Sequence, residues 1–192
     1  MAQTVEIPPE RRHRLTVADF HKLAEAGGLA PDDRVELIKG ELIDMTPIGS
    51  RHAAVVDRLT EAMILRFQRE YQVHTQNPIC LGEDNEPQPE VAVLRRRGDG
   101  YAHGLPTAED VHLVVEVADS SLAFNRDIKL PLYAGFAIAE AWLVDLESNR
   151  IEVHSGPQPG EYVHVDRYRP GMTLQSPTLG LTLDVDAILP PL

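Results

Sequence analysis

The chain has 192 residues, 43% hydrophobic, 25% charged and 5% aromatic, values of a folded chain long enough to bury a substantial core. Its formal net charge of -12 excludes broad adhesion to nucleic acid, because phosphate affinity is carried by Lys and Arg, yet leaves room for a local basic site or for carboxylates around a divalent cation. No run reaches the roughly 18 apolar residues of a membrane span, and Cys80 is the single cysteine, which excludes an intrachain disulfide and a cysteine-based zinc site.

The N-terminal stretch MAQTVEIPPERR lacks the apolar core of a secretory signal, so a cytoplasmic protein is expected. Thr16 reads as a helix N-cap with Asp19 three residues on, and Gly27-Gly28 as the stop, giving a short helix over about 17–26. RVELI and ELIDM flank Lys39-Gly40 and read as a hairpin. From Ser50 to about Tyr71, Val56, Leu59, Met63 and Phe67 recur at helical spacing and mark the longest helix. His52 lies four residues before Val56, near the apolar stripe. Segments 72–81, 89–95, 111–118 and 140–146 have the Val/Ile/Leu content of strands, with Cys80 expected as a buried thiol in the first of them. A helix over about 123–136 is interrupted by Pro131, which places its start close to Lys129. RIEVHS, EYVHVDRY and TLGLTLDVD read as further strands. The order predicts one domain over 1–192, a mixed α/β or α+β architecture with helices covering a central sheet.

LVVEVADSS carries the chemistry. Glu116 interrupts an apolar strand, and an ionised carboxylate buried there costs several kcal/mol unless it is paired or holds a metal. A salt bridge to Lys or Arg is one reading. The other brings in Glu90 at the start of one strand, Glu116 at the end of another and Lys129 at the following helix. If the two strands are neighbours, these groups converge at one end of the sheet. Two carboxylates and a backbone carbonyl such as that of Val117 suit Mg²⁺, which prefers oxygen ligands and keeps several waters. A lysine beside them can orient water or steady charge on a phosphate, a set of parts suited to phosphodiester hydrolysis.

The ordered motifs RVELIKGELIDMTPIGSRH, PQPEVAV, LVVEVADSS and RDIKLPLYAGFAIAEAWLVDL resemble the Uma-type putative restriction endonuclease family, a branch of the PD-(D/E)XK nuclease superfamily. The resemblance covers about 15–155, which leaves about 150–192 as a C-terminal β extension. It implies a restriction-endonuclease-like core, a mixed β-sheet flanked by helices behind an N-terminal helix and hairpin. It also implies cleavage of DNA dependent on Mg (or Mn). Glu90 matches the first acid, Glu116 the second, Lys129 the lysine on the following helix, and His52 a histidine at the start of the long helix. Glu90 stands in place of Asp and Ala118 at the usual lysine position. Asn125 stands where relatives often carry Asp, and the Gly-Ile/Val-Pro-Glu run reads Ala137-Ile138-Ala139-Glu140.

Weaker candidates follow. Arg95, Arg96 and Arg97 read as a solvated turn, with phosphate contacts beside the site as the alternative. Glu36 and Glu41 read as exposed or paired, while the resemblance allows either a site-edge role; Glu41 is carried as a site-edge candidate with His52. Ser120 and Ser121 read as caps, and His74, His112, His154 and His164 as surface or edge residues. Three function classes compete: a DNA endonuclease, for which a homodimer suits the two strands of a duplex; a nuclease-like interaction module that has lost turnover; and a small-molecule or cofactor-binding α/β protein, against which the sequence offers no Gly-rich phosphate loop or dinucleotide fingerprint.

Overall fold

The computed structural model describes residues 11–30 and 32–189; most of the stretch read for a missing secretory signal lies outside the described residues. Helix α1 (Val17–Glu25) starts on the capping box expected from the sequence: Asp19 N donates to Thr16 Oγ1 at 3.1 Å, and Thr16 N donates to Asp19 Oδ2 at 3.2 Å. Strands β1 (Val35–Ile38) and β2 (Glu41–Asp44) form the hairpin. Its two turn residues, Lys39 at φ 52 and Gly40 at φ 73, both have the positive φ of the turn whose twist matches paired strands. A Cβ on Gly40 would fall 2.6 Å from Arg14 Cβ, so the turn also depends on the missing side chain.

The main sheet has six strands in the order β3-β4-β5-β6-β7-β8. These are β3 (Tyr71–Thr75), β4 (Val91–Arg95), β5 (Val111–Ala118), β6 (Glu140–Asp145), β7 (Arg150–Gln158) and β8 (Glu161–Tyr168). Every neighbouring pair is antiparallel except β5–β6, which is parallel. A parallel pair needs a crossover, and here it is one helical path: α3 (Leu122–Phe124), a π-helical turn (Asn125–Lys129) and α4 (Leu130–Gly135).

Alternation along the strands divides the core. On one face Val91, Val93, Leu113, Val115, Val117, Trp142 and Val144 pack with Val55, Val56, Leu59, Met63 and Phe67 of α2 (Ser50–Phe67). On the other, Ala92, Leu94, Val114, Ala141 and Leu143 pack with Leu130, Leu132, Tyr133 and Ala134 of the crossover and with Ile38 of the hairpin. The C-terminal ribbon β9 (Thr173–Gln175) and β10 (Thr182–Asp184), followed by α5 (Val185–Ile188), closes the α2 face through Leu174, Leu181, Val185 and Ile188. Among the described residues, no helix is long and apolar enough to cross a membrane.

Several boundaries differ from the sequence expectation. The strand read over 72–81 ends at Thr75; Ile79 and Leu81 are fully buried, but on an extended segment whose backbone bonds go to Pro87, Pro106 and Asn85 rather than to a ladder. Cys80 on that segment is half-buried. The crossover helix starts at Leu122, well before Lys129, because the π turn lets Leu130 N reach Asn125 O and brings Pro131 into the first turn of α4, where its missing N–H costs nothing. Of TLGLTLDVD, 182–184 are a strand and the chain turns helical at Val185. His154, expected at a surface or edge, is buried on β7.

Candidate active site

The carboxyl end of β5 opens into a cleft of about 350 Å³ whose walls include Glu36, His52, Glu90, Glu116, Val117 and Lys129. Its floor is the break where β5 leaves the sheet, its roof the β1–β2 hairpin, and its sides the start of α2 and the crossover. Each charged group arrives from a different element, and antiparallel pairing of β4 with β5 sets the start of one beside the end of the other.

Lys129 is the hub. Its Nζ lies 3.0 Å from Glu116 Oε1 and 3.0 Å from Glu36 Oε2, with all three side chains at most 5% exposed. Tyr133, one turn further along the crossover, donates its hydroxyl to Glu116 Oε1 at 2.5 Å. Glu36 Oε2 also accepts the backbone N–H of Gln88 at 3.0 Å. Two carboxylates therefore share one buried ammonium. Burial raises the Glu116 pKa first of all, with Glu36 adding to the rise against the opposing pull of Lys129 and Tyr133, and the carboxyl is pushed up to about 7. Burial alone would lower Lys129, but Glu116 and Glu36 outweigh it and raise the ammonium above its ordinary value.

Glu90 sits on the other side. Its Oε1 lies 3.0 Å from His52 Nε2, and its Oε2 accepts Gln76 Nε2 at 2.8 Å. The same His52 nitrogen lies 3.0 Å from the carbonyl oxygen of Val117, so Glu90 Oε1 and that carbonyl are separated by a single nitrogen. Burial would raise Glu90, but its bond to His52, the charge of that ring and Gln76 overcome burial and lower it. His52 shifts the opposite way: burial would lower it, and Glu90 with the Val117 carbonyl raises it. Each partner thus favours the charged form of the other, while His52 Nδ1 is buried without a hydrogen-bond partner among the described residues.

The family described as "Putative restriction endonuclease", Uma2, matches residues 17–186. The chain belongs to the Uma2 family. The crystal structure of a putative nuclease from Anabaena variabilis shares the fold at a TM-score of 0.71, with 17% identity over 91% of this chain and 97% of that one. Comparison with curated proteins gives no match.

Of the residues singled out in this Uma2 chain, Glu90, Glu116, Lys129, His52 and Val117 all line one cleft. Glu41 does not: its carboxylate is on the hairpin's outer side, 3.2 Å from Arg12 and 41% exposed. The arginine run also lies elsewhere. Glu90 precedes β4 and Arg95 ends it, so strand rise alone carries the arginines roughly 16 Å away from the cleft. There Arg95 pairs with Asp110, Arg96 donates to the carbonyls of Gln68 and Tyr71, and Arg97 pairs with Asp99. Their placement speaks against the alternative reading of phosphate contacts beside the site.

Two site residues, Tyr133 and Gln76, were not read from the sequence, and Glu36, read there as exposed or paired, is buried and paired with Lys129. Glu36 interrupts VELI as Glu116 interrupts VHLVVEVA, so the same signal of an acid inside an apolar strand was present. Tyr133 follows Lys129 by four residues, the spacing that puts two helical side chains on one face. Gln76 gives no sequence signal. Among the described residues, no three His, Cys, Asp or Glu side chains converge as a metal cluster. Two carboxylates and a carbonyl, the oxygen donors a hard cation takes, border one cleft; Glu116 Oε2 makes no hydrogen bond or ion pair among the described residues, whereas Glu90 Oε1 and the Val117 carbonyl would turn from His52 Nε2 to face an ion.

Proposed function

We propose that the chain is a divalent-metal-dependent DNA endonuclease that hydrolyses phosphodiester bonds. Convergence of Glu90, Glu116 and Lys129 on one cleft carries this reading. Glu90, Glu116 and the Val117 carbonyl are the groups that would hold Mg²⁺ or Mn²⁺. Such an ion, when bound, polarises a phosphoryl oxygen and makes coordinated water more acidic. Lys129 has three N–H donors, two of them directed at Glu36 and Glu116; the third is available to a phosphate oxygen or the attacking water. Glu116, whose carboxyl burial pushes up to about 7, would have to give up its proton to hold the ion, so metal binding strengthens as pH rises toward neutrality. His52 and Gln76 hold Glu90 from opposite sides and fix its carboxylate plane. Glu36 and Tyr133 position Lys129 and Glu116 without facing the phosphate. The reading treats the chain as one domain with 150–192 as its C-terminal extension, acting in the cytoplasm as a homodimer on duplex DNA.

The test is incubation of purified protein with supercoiled, linear and single-stranded DNA. Cleavage is expected with Mg²⁺ or Mn²⁺, none in chelator, and loss of cleavage in Glu90→Gln and Glu116→Gln. Absence of cleavage on every DNA form, or undiminished cutting by Glu116→Gln, sinks the reading. A second reading, a nuclease-like interaction module without turnover, draws on the closure of the Glu36–Lys129–Glu116–Tyr133 network upon itself. Calorimetry separates the two: Mn²⁺ binding lost in Glu90→Gln favours the enzyme, and no binding favours the module.

A further inference from the structure

Glu152 on β7 has a side chain only 3% exposed, and three arginines converge on it. Arg126 Nη2 lies 3.3 Å from its Oε2, while Arg150 Nη2 and Arg167 Nε lie 3.2 Å from its Oε1. Arg150 Nη2 is also 3.2 Å from Asp145 Oδ2. Burial lowers the pKa of neighbouring His154, which keeps that ring out of the charge balance near neutrality. Three guanidiniums thus face two carboxylates, and they are far less buried than the acid that organises them: Arg126 is 37% exposed, Arg150 24% and Arg167 59%. A buried acid surrounded by partly exposed arginines fixes guanidinium positions while leaving N–H groups turned to solvent.

The cluster continues to the cleft. Arg51, between the cleft residues Gly49 and His52, donates to Leu146 O at 2.7 Å and to Asn149 Oδ1 at 3.0 Å, and Asn149 is followed by Arg150. On the crossover, Arg126 follows the cleft residue Asn125. Register places everything at one end of the sheet: Ala118 opposite Asp145, Asp145 opposite Arg150, and Glu152 opposite Arg167 on the edge strand β8. From β5 to β8 is three strand spacings, about 15 Å, which matches the rise of about four base pairs of duplex.

We propose that Arg51, Arg126, Arg150 and Arg167 form a phosphate-backbone track that leads duplex DNA from the cleft across the sheet end to β8. The proposal rests on the endonuclease reading for the identity of the polyanion. A chain with formal charge -12 cannot gather DNA by its overall field, so contact has to come from a few cations held in register. Asp127 and Glu147, exposed beside the row, oppose a polyanion there and confine its contact to the arginines themselves. The row on the cleft side, and not Arg96 and Arg97 at the opposite sheet end, should carry the affinity.

The experiment is fluorescence anisotropy of a labelled duplex of about 20 base pairs with the full chain in chelator, so that binding is read without cleavage. Arg126→Gln/Arg167→Gln is expected to weaken binding at least tenfold and to reduce the magnitude of the log-affinity against log-salt slope by about 2. Arg96→Ala/Arg97→Ala should stay within twofold of the parent. If the double variant does not fold, Arg167→Gln alone carries the test, with about threefold weakening expected and parental affinity overturning the track. A parent that cleaves DNA while the arginine variants bind as it does overturns the track and leaves the endonuclease standing. Weakened variants of a parent that never cleaves support the track and sink the endonuclease. A parent that binds no duplex overturns the track, and the cleavage assay then decides the endonuclease by itself.

Discussion

Lys129 Nζ and Glu116 Oε1 lie 3.0 Å apart with both side chains 3% exposed, and the same ammonium meets Glu36 Oε2 at 3.0 Å. Removing one partner of a buried ion pair strands the charge that remains, at a cost of about 3–5 kcal/mol. Here one removal strands two carboxylates. Lys129→Met is therefore expected to lose stability at the upper end of that range at about pH 8, and less at about pH 5, where Glu116 carries its proton. Chemical denaturation at the two pH values checks this; equal losses would show that the ammonium is not compensating Glu116.

The pH dependence of the parent has a definite sign. The Glu116 pKa is about 7 in the folded protein against an ordinary 4.5. A raised acid pKa means the folded state binds the extra proton more tightly, so this group's contribution is fullest below about 4.5 and falls as pH rises through about 7. The integrated change is on the order of 3 kcal/mol. Cleavage should move the other way: the ion needs the ionised carboxylate, so activity rises with pH, with a midpoint that the bound cation brings below about 7. Denaturation and cleavage profiles measured together test both, and Glu116→Gln should flatten the stability profile.

Tyr133→Phe deletes the hydroxyl that donates to Glu116 Oε1 at 2.5 Å. A hydrogen bond to a charged group contributes about 1.5–3 kcal/mol, and Tyr133 acts to lower the Glu116 pKa. The variant should lose stability of that size and shift the cleavage midpoint to higher pH. A loss of stability with an unmoved midpoint would mark the hydroxyl as structural only.

What the sequence disclosed follows from where local signals suffice. The Thr16–Asp19 box, the Lys39-Gly40 turn and the apolar runs of β5 and β6 are local, and each element is where pattern places it. The stretch 76–81 was misread because apolar content marks burial, and Ile79 and Leu81 are buried on an irregular segment held by distant carbonyls. Within the site, Glu90, Glu116 and Lys129 stood out by chemical type and order. Glu36 stayed ambiguous because its burial depends on the hairpin folding over the crossover, a tertiary event that no short-range pattern announces. The arginines left two readings open for a related reason: β4 is short in sequence, yet five extended residues are enough to carry a side chain from one end of the sheet to the other.

Glu140 gives a prediction about the C-terminal ribbon. It is fully buried at the start of β6 and has no cation partner among the described residues. Its oxygens accept Trp142 Nε1 at 2.6 Å, Ser176 Oγ at 2.8 Å and Thr178 N at 3.1 Å, with the Thr178 hydroxyl a further donor. Glu140→Ala leaves those donors buried without an acceptor, costing about 1–3 kcal/mol for each that water cannot reach. The loss should appear first as protease cleavage between about 170 and 189, ahead of global unfolding; protection of that stretch equal to the parent's would show that the carboxylate does not fasten the ribbon.

Ala137 occupies the turn between α4 and β6 at φ 57, a left-handed conformation that costs a residue bearing a Cβ about 1 kcal/mol relative to glycine. The turn is fixed from both sides: Ala137 N donates to Ala134 O at 2.9 Å and Ile138 N to Tyr133 O at 3.1 Å, which leaves the residue no freedom to relax. The second of those bonds ties the turn to Tyr133, so strain here bears on the helix that presents Tyr133 and Lys129 to Glu116. Ala137→Gly removes the steric cost but adds freedom to the unfolded chain, and at a positive φ the first effect is the larger. A gain of about 0.5–1 kcal/mol in chemical denaturation is expected, with the Glu116 titration unchanged because no site contact is altered. A loss of stability would mean that the turn's left-handed backbone is not strained.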